Sequence, residues 1–389
     1  MDQLIGRPLR LINVETGHLE SVKWRDYDAS SAPRYAILSH TWGPDNTEVS
    51  LSEWQNSSDN VMARAGYRKI VGACELAKKE GLGFVWVDTC CIDKSDKEEL
   101  SRAINSMFNW YANATVCYAL LSDVSGQPNS RDTRGQMGAS RWFTRGWTLQ
   151  EMLAPSRVDF YTRDWVFLGT RADRVRDLTE ITGIDKAVLE GSKELSDYSA
   201  AQKFSWASKR FTSELEDVAY SLLGIVGIRM TLDYGEGGLA FRRLQVELLN
   251  NGDLSVLAWG LVESSKSTQL LATSPSDFSG SGILFPDTSH VPQDHSMMYK
   301  GLNGTLSVCR VRWFFFFSSR THFLAPLGCR VNRFSDEIIA LRLKTRNGPL
   351  TRGDKDLIVD PFCTTHTSSL IAFTFEGVVS AGGSESTTH

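Results

Sequence analysis

An α/β fold with a mainly parallel sheet, covered by helices on both faces, is what three features of this sequence predict. The runs Tyr35–Ser39, Phe84–Val87 and Val116–Leu121 are apolar throughout, as expected of strands buried on both sides. The segments between the runs carry helical periodicity, which implies parallel strands joined by crossover helices. The apolar runs also break off abruptly into polar, aromatic or acidic residues, which in an open α/β sheet places functional groups at the carboxyl ends of the strands.

The elements follow in order. Tyr35–Ser39 is the first strand. Tyr67–Glu80 reads as an amphipathic helix, with Ile70, Cys74 and Ala77 on one stripe and Lys69, Lys78 and Lys79 off it; Gly81 and Gly83 stop it. Phe84–Val87 closes on Asp88. Ser95-Asp-Lys-Glu98 has the form of a capping box opening a helix through about Trp110. Its apolar face is Leu100, Ile104, Met107, Phe108 and Tyr111, and Trp86, Ile104, Phe108 and Leu120 are expected to be fully packed. Val116–Leu121 is the third strand, Ser125–Ala139 a Gly-, Ser- and Arg-rich loop, Gly146–Leu153 a helix ended by Ala154-Pro155, and Val158–Tyr161 a fourth strand. Right-handed crossovers then set His40, Asp88 and Asp123 on one rim.

From about residue 171 to 250 the pattern turns helical, with helices at Ala201–Lys209, Glu214–Val226 and Leu239–Leu249. Residues 251–380 are rich in Ser, Gly and Thr with short apolar runs at Ser255–Trp259, Ile338–Leu343 and Leu370–Phe375, which reads as a small β-rich module. Residues 381–389 read as a disordered tail.

Forty-two basic against 46 acidic residues give a net charge of −4, so bulk charge supplies no drive toward nucleic acid or an anionic membrane. The first ten residues lack the apolar core of a signal peptide. The longest apolar stretches, Val218–Met230 and Trp313–Phe317, fall short of the roughly 20 residues a membrane helix needs. The seven cysteines form no Cys-x-x-Cys pair and fit reduced, buried thiols. A cytoplasmic protein without membrane insertion is expected.

Three blocks carry the family resemblance: Arg34-Tyr-Ala-Ile-Leu-Ser-His-Thr-Trp-Gly43, Phe84-Val-Trp-Val-Asp-Thr-Cys-Cys-Ile-Asp-Lys94 and Ser140-Arg-Trp-Phe-Thr-Arg-Gly-Trp-Thr-Leu-Gln-Glu-Met-Leu-Ala-Pro155. With Ala103–Tyr111 and Cys117–Val124 they closely resemble the fungal heterokaryon-incompatibility (HET) domain, here over residues 8–170. Phe204–Arg210, Glu216–Gly224 and Tyr234–Phe241 resemble the helical extension that follows this domain, and Leu271–Phe278 and Leu324–Arg330 echo a later segment. The resemblance implies an effector that triggers programmed cell death, a form of fungal innate immunity, after non-self recognition. It also implies incompatibility or sensor proteins as partners and self-association on activation. A more distant similarity, to TIR domains, implies a TIR-like, flavodoxin-like sheet. Some members of that superfamily cleave NAD, with a glutamate close behind a Trp; the matching position is Glu151, four residues after Trp147. NAD is then a substrate to consider, and no resident cofactor is expected.

Read as chemistry, Glu151 in an apolar rim would have its pKa raised and could hydrogen-bond a ribose or stabilise an oxocarbenium-like centre. It could equally pair with Arg141 or Arg145 and lock its helix. Asp88 and Asp93 could share acid–base work, or serve as a strand-end cap and a helix N-terminal charge. Ser39-His-Thr-Trp-Gly43 is the best binding loop: Trp42 could stack on a base and Gly43 admit a backbone approach, or Trp42 could close the sheet's end as core. Cys90 and Cys91 with His40 suggest a Cys–His nucleophile, but adjacent thiols point apart and read as core filler. Gly235, Gly237 and Gly238 read as a turn rather than a phosphate cradle. No metal site is predicted, because the histidines are scattered.

Overall fold

The computed structural model describes residues 6–28, 31–44, 46–128, 130–260 and 271–286. Beyond these it describes the backbone of strands His295–Met298, Gly301–Val311, Thr321–Arg330, Ile338–Thr345, Thr351–Asp360 and Ser369–Thr374. The Trp313–Phe317 run and the 381–389 tail lie outside the described residues. The chain divides into two compact units: Met1–Leu195 with Lys209–Phe241, and Ser196–Ser208 with Arg242–His389.

The first unit is built on strands β1 (Arg10–Asn13), β2 (Leu19–Ser21), β3 (Tyr35–His40), β4 (Phe84–Trp86), β5 (Val116–Leu121), β6 (Val158–Thr162) and β7 (Phe167–Thr170). They form one sheet in the order β2-β1-β4-β3-β5-β6-β7. The four central strands are parallel, with Ala36 registered against both Val85 and Val116, and the outer pairings are antiparallel. The three apolar runs are thus neighbouring central strands. The flanking β1, β2 and β7 are short and were not legible as strands in the sequence.

The helices are α1 (Leu51–Gln55), α2 (Asp59–Met62), α3 (Ala65–Lys79), α4 (Lys97–Ala112), α5 (Arg131–Gly138) and α6 (Thr148–Leu153). The β3-to-β4 and β4-to-β5 crossovers run in opposite directions across the sheet. Right-handed connection therefore puts α3 on one face and α4 on the other. Side-chain contacts agree: Tyr35 donates its hydroxyl to Trp110 O on α4 (2.6 Å), whereas Lys69 on α3 reaches His40 (3.3 Å).

Several expectations need correction. Helix α4 is capped by Asp96, which accepts from the Glu98 and Glu99 amides, and not by Ser95, whose hydroxyl turns to Asp93. Leu100 is only half-buried while Glu99 is buried, because Arg10 engages both Glu99 carboxylate oxygens. The Ser125–Ala139 loop contains α5, capped by Ser130 and anchored by buried Thr133 and Met137. Lys69, off the apolar stripe of α3, is nonetheless buried, since it has carboxylate and carbonyl partners inside. The expected helix Glu214–Val226 is two short ones, Asp217–Tyr220 and Leu223–Val226. Trp86, Ile104 and Leu120 are buried, but Phe108 is half-buried: it looks away from the sheet and packs against Gly224.

The second unit carries the helix Ala200–Ala207, opened by a Ser199/Gln202 capping box. Its Phe204 ring meets Phe278 at 5.0 Å, centroid to centroid. Ser255–Leu257 lie in a 3-10 turn started by Asp253 and not in a strand, because Asp253 accepts the Ser255 amide. Strands from Phe285 to Thr374 pair antiparallel in a seven-stranded sheet.

Gly224 is the tight point of the first unit, since a Cβ there would run into the Cβ of Phe108 and the near edge of its ring. Gly224→Ala is expected to lower stability by about 1–3 kcal/mol. In a Phe108→Gly background, which removes the Phe108 Cβ as well as its ring, most of that loss should disappear. Urea unfolding of the four variants checks this, and an undiminished loss in the double variant would refute the contact.

Candidate functional site

Strand β3 is buried at all six residues, and its last two are polar. Because side chains alternate across a strand, Ser39 and His40 leave on opposite faces and found two separate clusters.

On the α4 face, Ser39 Oγ accepts the indole N–H of fully buried Trp142 (2.8 Å) and donates to Glu151 Oε2. Tyr111 from α4 hydrogen-bonds the same carboxyl and also donates to Leu38 O at 3.3 Å. Glu151 is 8% exposed on a helix whose next residue, Met152, is fully buried. Burial pushes its carboxyl up to about 8; the Ser39 and Tyr111 hydroxyls oppose this, Asp88 reinforces it, and the Arg210 charge opposes it. Burial also lowers Arg210 to about 9. Arg210 is fixed by donating to Arg145 O (2.9 Å) and Thr148 Oγ1 (3.0 Å). At neutral pH the site is therefore a neutral carboxylic acid wired to a serine, a tyrosine and a tryptophan.

The arginines expected to hold Glu151 are occupied elsewhere. Arg141 faces Asp123 at 3.9 Å and Arg145 bonds Ser213 Oγ at 3.0 Å. The residue the sequence reading missed is Arg210, together with Trp142 and Tyr111. All three stand inside family-like blocks, yet nothing in their spacing brings them to Glu151.

On the α3 face, Lys69 Nζ lies 3.3 Å from His40 Nδ1 and also donates to Thr41 O (3.0 Å) and Glu48 (2.5 Å). An ammonium cannot accept, so Nδ1 is the acceptor and the Nε2–H of His40 points to Asp88 Oδ1, 3.2 Å away. Burial raises the Asp88 carboxyl, but His40, Lys94 and the Trp42 indole outweigh it and hold it below its usual range. Trp42 is neither core nor free: it is 48% exposed, donates its N–H to Asp88 (2.9 Å) and carries the Lys94 ammonium over its ring at 3.8 Å. Gly43 serves its own loop, donating to Glu48 (2.8 Å) where a Cβ would strike Thr47.

The remaining candidates lie outside these clusters. Asp93 binds the Ser95 amide and hydroxyl, which holds its carboxyl low. Trp147 donates to Asp217 at 2.9 Å. Burial raises the Cys90 thiol well above its usual value, which leaves it unreactive. The Gly235 and Gly237 amides are both taken by Glu216. Among the described residues, no group of three or more His, Cys, Asp or Glu side chains is placed to hold a metal ion.

Residues 35–134 match the sequence model of the family described as Heterokaryon incompatibility protein (HET), so the chain carries a HET-like segment there. The match runs from β3 into α5 and stops before Trp142 and Glu151. The chain is 44% identical over 219 residues to the Vegetative incompatibility protein HET-E-1 of Podospora anserina; the alignment takes in 55% of this chain and 16% of that protein. The chain thus spans only a small part of that relative's length. No solved structure matches it.

Because the folded-state pKa of Glu151 (about 8) exceeds its ordinary 4.5, the folded state holds this proton more tightly than the unfolded state does. The resulting stability is fully present below pH 4.5 and is lost as pH rises through 8, by up to about 1.4 kcal/mol per pH unit. Glu151→Gln, which imitates the protonated acid, should flatten stability in this window and be the more stable protein at pH 9. Thermal midpoints of both proteins from pH 5 to 9 test it; parallel curves would refute the shift.

Proposed function

We propose that this chain is a cytoplasmic effector of heterokaryon (vegetative) incompatibility, driving cell death after non-self recognition through HET-domain self-association and partner binding. The observation that carries this reading is the enclosure of Glu151: its carboxyl is buried and engaged by Ser39 and Tyr111 as an internal lock. The similarity to a vegetative incompatibility protein supports the biological role. Exposed Phe211 and Leu215, 69% and 67% accessible, supply apolar area suited to a protein partner. Among the described residues no helix is long and apolar enough to cross a membrane.

A second reading, a TIR-like NAD glycohydrolase using Glu151, draws support from the raised pKa of that acid and from the parallel strand order β4-β3-β5-β6. The two readings part at one residue. In cells expressing matched amounts of folded protein, Glu151→Gln should still kill and cellular NAD should stay level, whereas Phe211→Ser with Leu215→Ser should abolish killing and self-association without lowering the thermal midpoint. Loss of both killing and NAD consumption in a fully stable Glu151→Gln protein would overturn the interaction reading and establish the enzymatic one.

A further inference from the structure

On the face opposite Glu151, α3 and the ends of β5 and β6 enclose an open cleft of about 710 Å³, lined by Tyr67, Arg68, Lys69, Ser122, Arg163 and Trp165 among others. It lies beside the point where the strand order reverses, between β3 and β5. There the connections diverge to opposite faces and leave a crevice. A hydroxyl pair, Thr41 Oγ1 to Ser122 Oγ at 3.1 Å, ties the two strand ends together at its edge.

Trp165 is the anomaly of this cleft. It stands in the tight connection from β6 to β7, where Thr162 N donates to Val166 O and Trp165 N to Thr162 O, both at 3.0 Å. Its φ is 60°, a left-handed conformation that favours glycine and is unusual for a bulky residue. The indole is accommodated because α3 carries Gly72 beneath it; a Cβ at that position would run into the ring. A glycine in a helix interior and a tryptophan in a left-handed turn are each unfavourable alone. Together they hold one half-buried aromatic wall in the cleft, packed on Tyr161 at 5.6 Å. Strain of this kind gathers at ligand sites.

The charges around the wall are unequally committed. Lys69 is held by Glu48 and Thr41 O. Arg163 meets Asp164 only at 3.4 Å, with both side chains at least 60% exposed, a pairing too weak to occupy it. Arg68 lines the cleft and uses one guanidinium nitrogen, Nη1, on Ala63 O. The other acid in the lining is Glu75, so Arg68 and Arg163 face Glu75 and Asp164 across the cleft.

We infer that this cleft binds a nucleoside monophosphate, its planar ring stacked on Trp165 and its phosphate held by Arg163 and Arg68. Guanidinium groups suit phosphate geometry, and an indole stacks on any base. The site is separate from Ser39 and Glu151 and does not depend on the function proposed for them.

Calorimetric titration of the full chain with AMP and UMP, and separately with adenosine and inorganic phosphate, tests this. Saturable binding of the nucleotides is expected, with adenosine and phosphate each at least tenfold weaker. Trp165→Gly relieves the left-handed strain, so it should keep or raise the thermal midpoint while weakening nucleotide binding at least tenfold. Arg163→Ala should weaken it similarly, Trp165→Phe should retain most of it, and Glu151→Gln should leave it unchanged. The inference is overturned if neither nucleotide saturates, if phosphate alone binds as tightly as AMP, if binding survives in Trp165→Gly and Arg163→Ala, or if it is lost in Glu151→Gln.

Discussion

Strand β3 lies in the middle of the parallel sheet with both faces covered, and it ends in a serine and a histidine that cannot reach bulk water. A buried hydroxyl or imidazole left unpartnered is costly, so each must be satisfied by whatever packs on its own face. The surroundings of the strand end follow from that demand. Trp142, Glu151 and Tyr111 gather about Ser39, while Asp88, Lys69 and Glu48 gather about His40.

The two clusters answer the same demand with different electrostatics. Around His40 opposite charges meet: Lys69 binds Glu48, and Asp88 stays ionised because a ring N–H, an indole N–H and Lys94 face it. Around Ser39 the acid has only hydroxyl donors at contact distance and a cation whose own charge is disfavoured by burial. Desolvation wins there, and Glu151 keeps its proton. A neutral acid in a packed interior is a good lock and a poor exposed catalyst, which is why the interaction reading is preferred.

The segment after residue 208 is part of this arrangement and not an appendage to it. Phe211 N donates to Thr144 O (2.7 Å), Gly146 N to Phe211 O (2.9 Å), and Asp217 receives the indole of Trp147. Arg210 is carried to the Glu151 neighbourhood by this short ladder. A HET domain cut before residue 208 would lose the cation that faces its buried acid.

Local chemistry in the sequence determined the central strands and the two long crossover helices, because apolar runs and helical periodicity are written in consecutive residues. It also singled out Ser39, His40, Trp42, Asp88 and Glu151. The tertiary structure decided which of them act together. Period-two alternation sends neighbours Ser39 and His40 to opposite faces, Lys69 turns inward because Glu48 waits there, and Phe108 turns outward to meet Gly224. The left-handed backbone of Trp165 and the room left by Gly72 are separated by 93 positions, and only folding reveals that they are one feature. Partners chosen across such distances depend on packing geometry, which no single stretch of sequence contains.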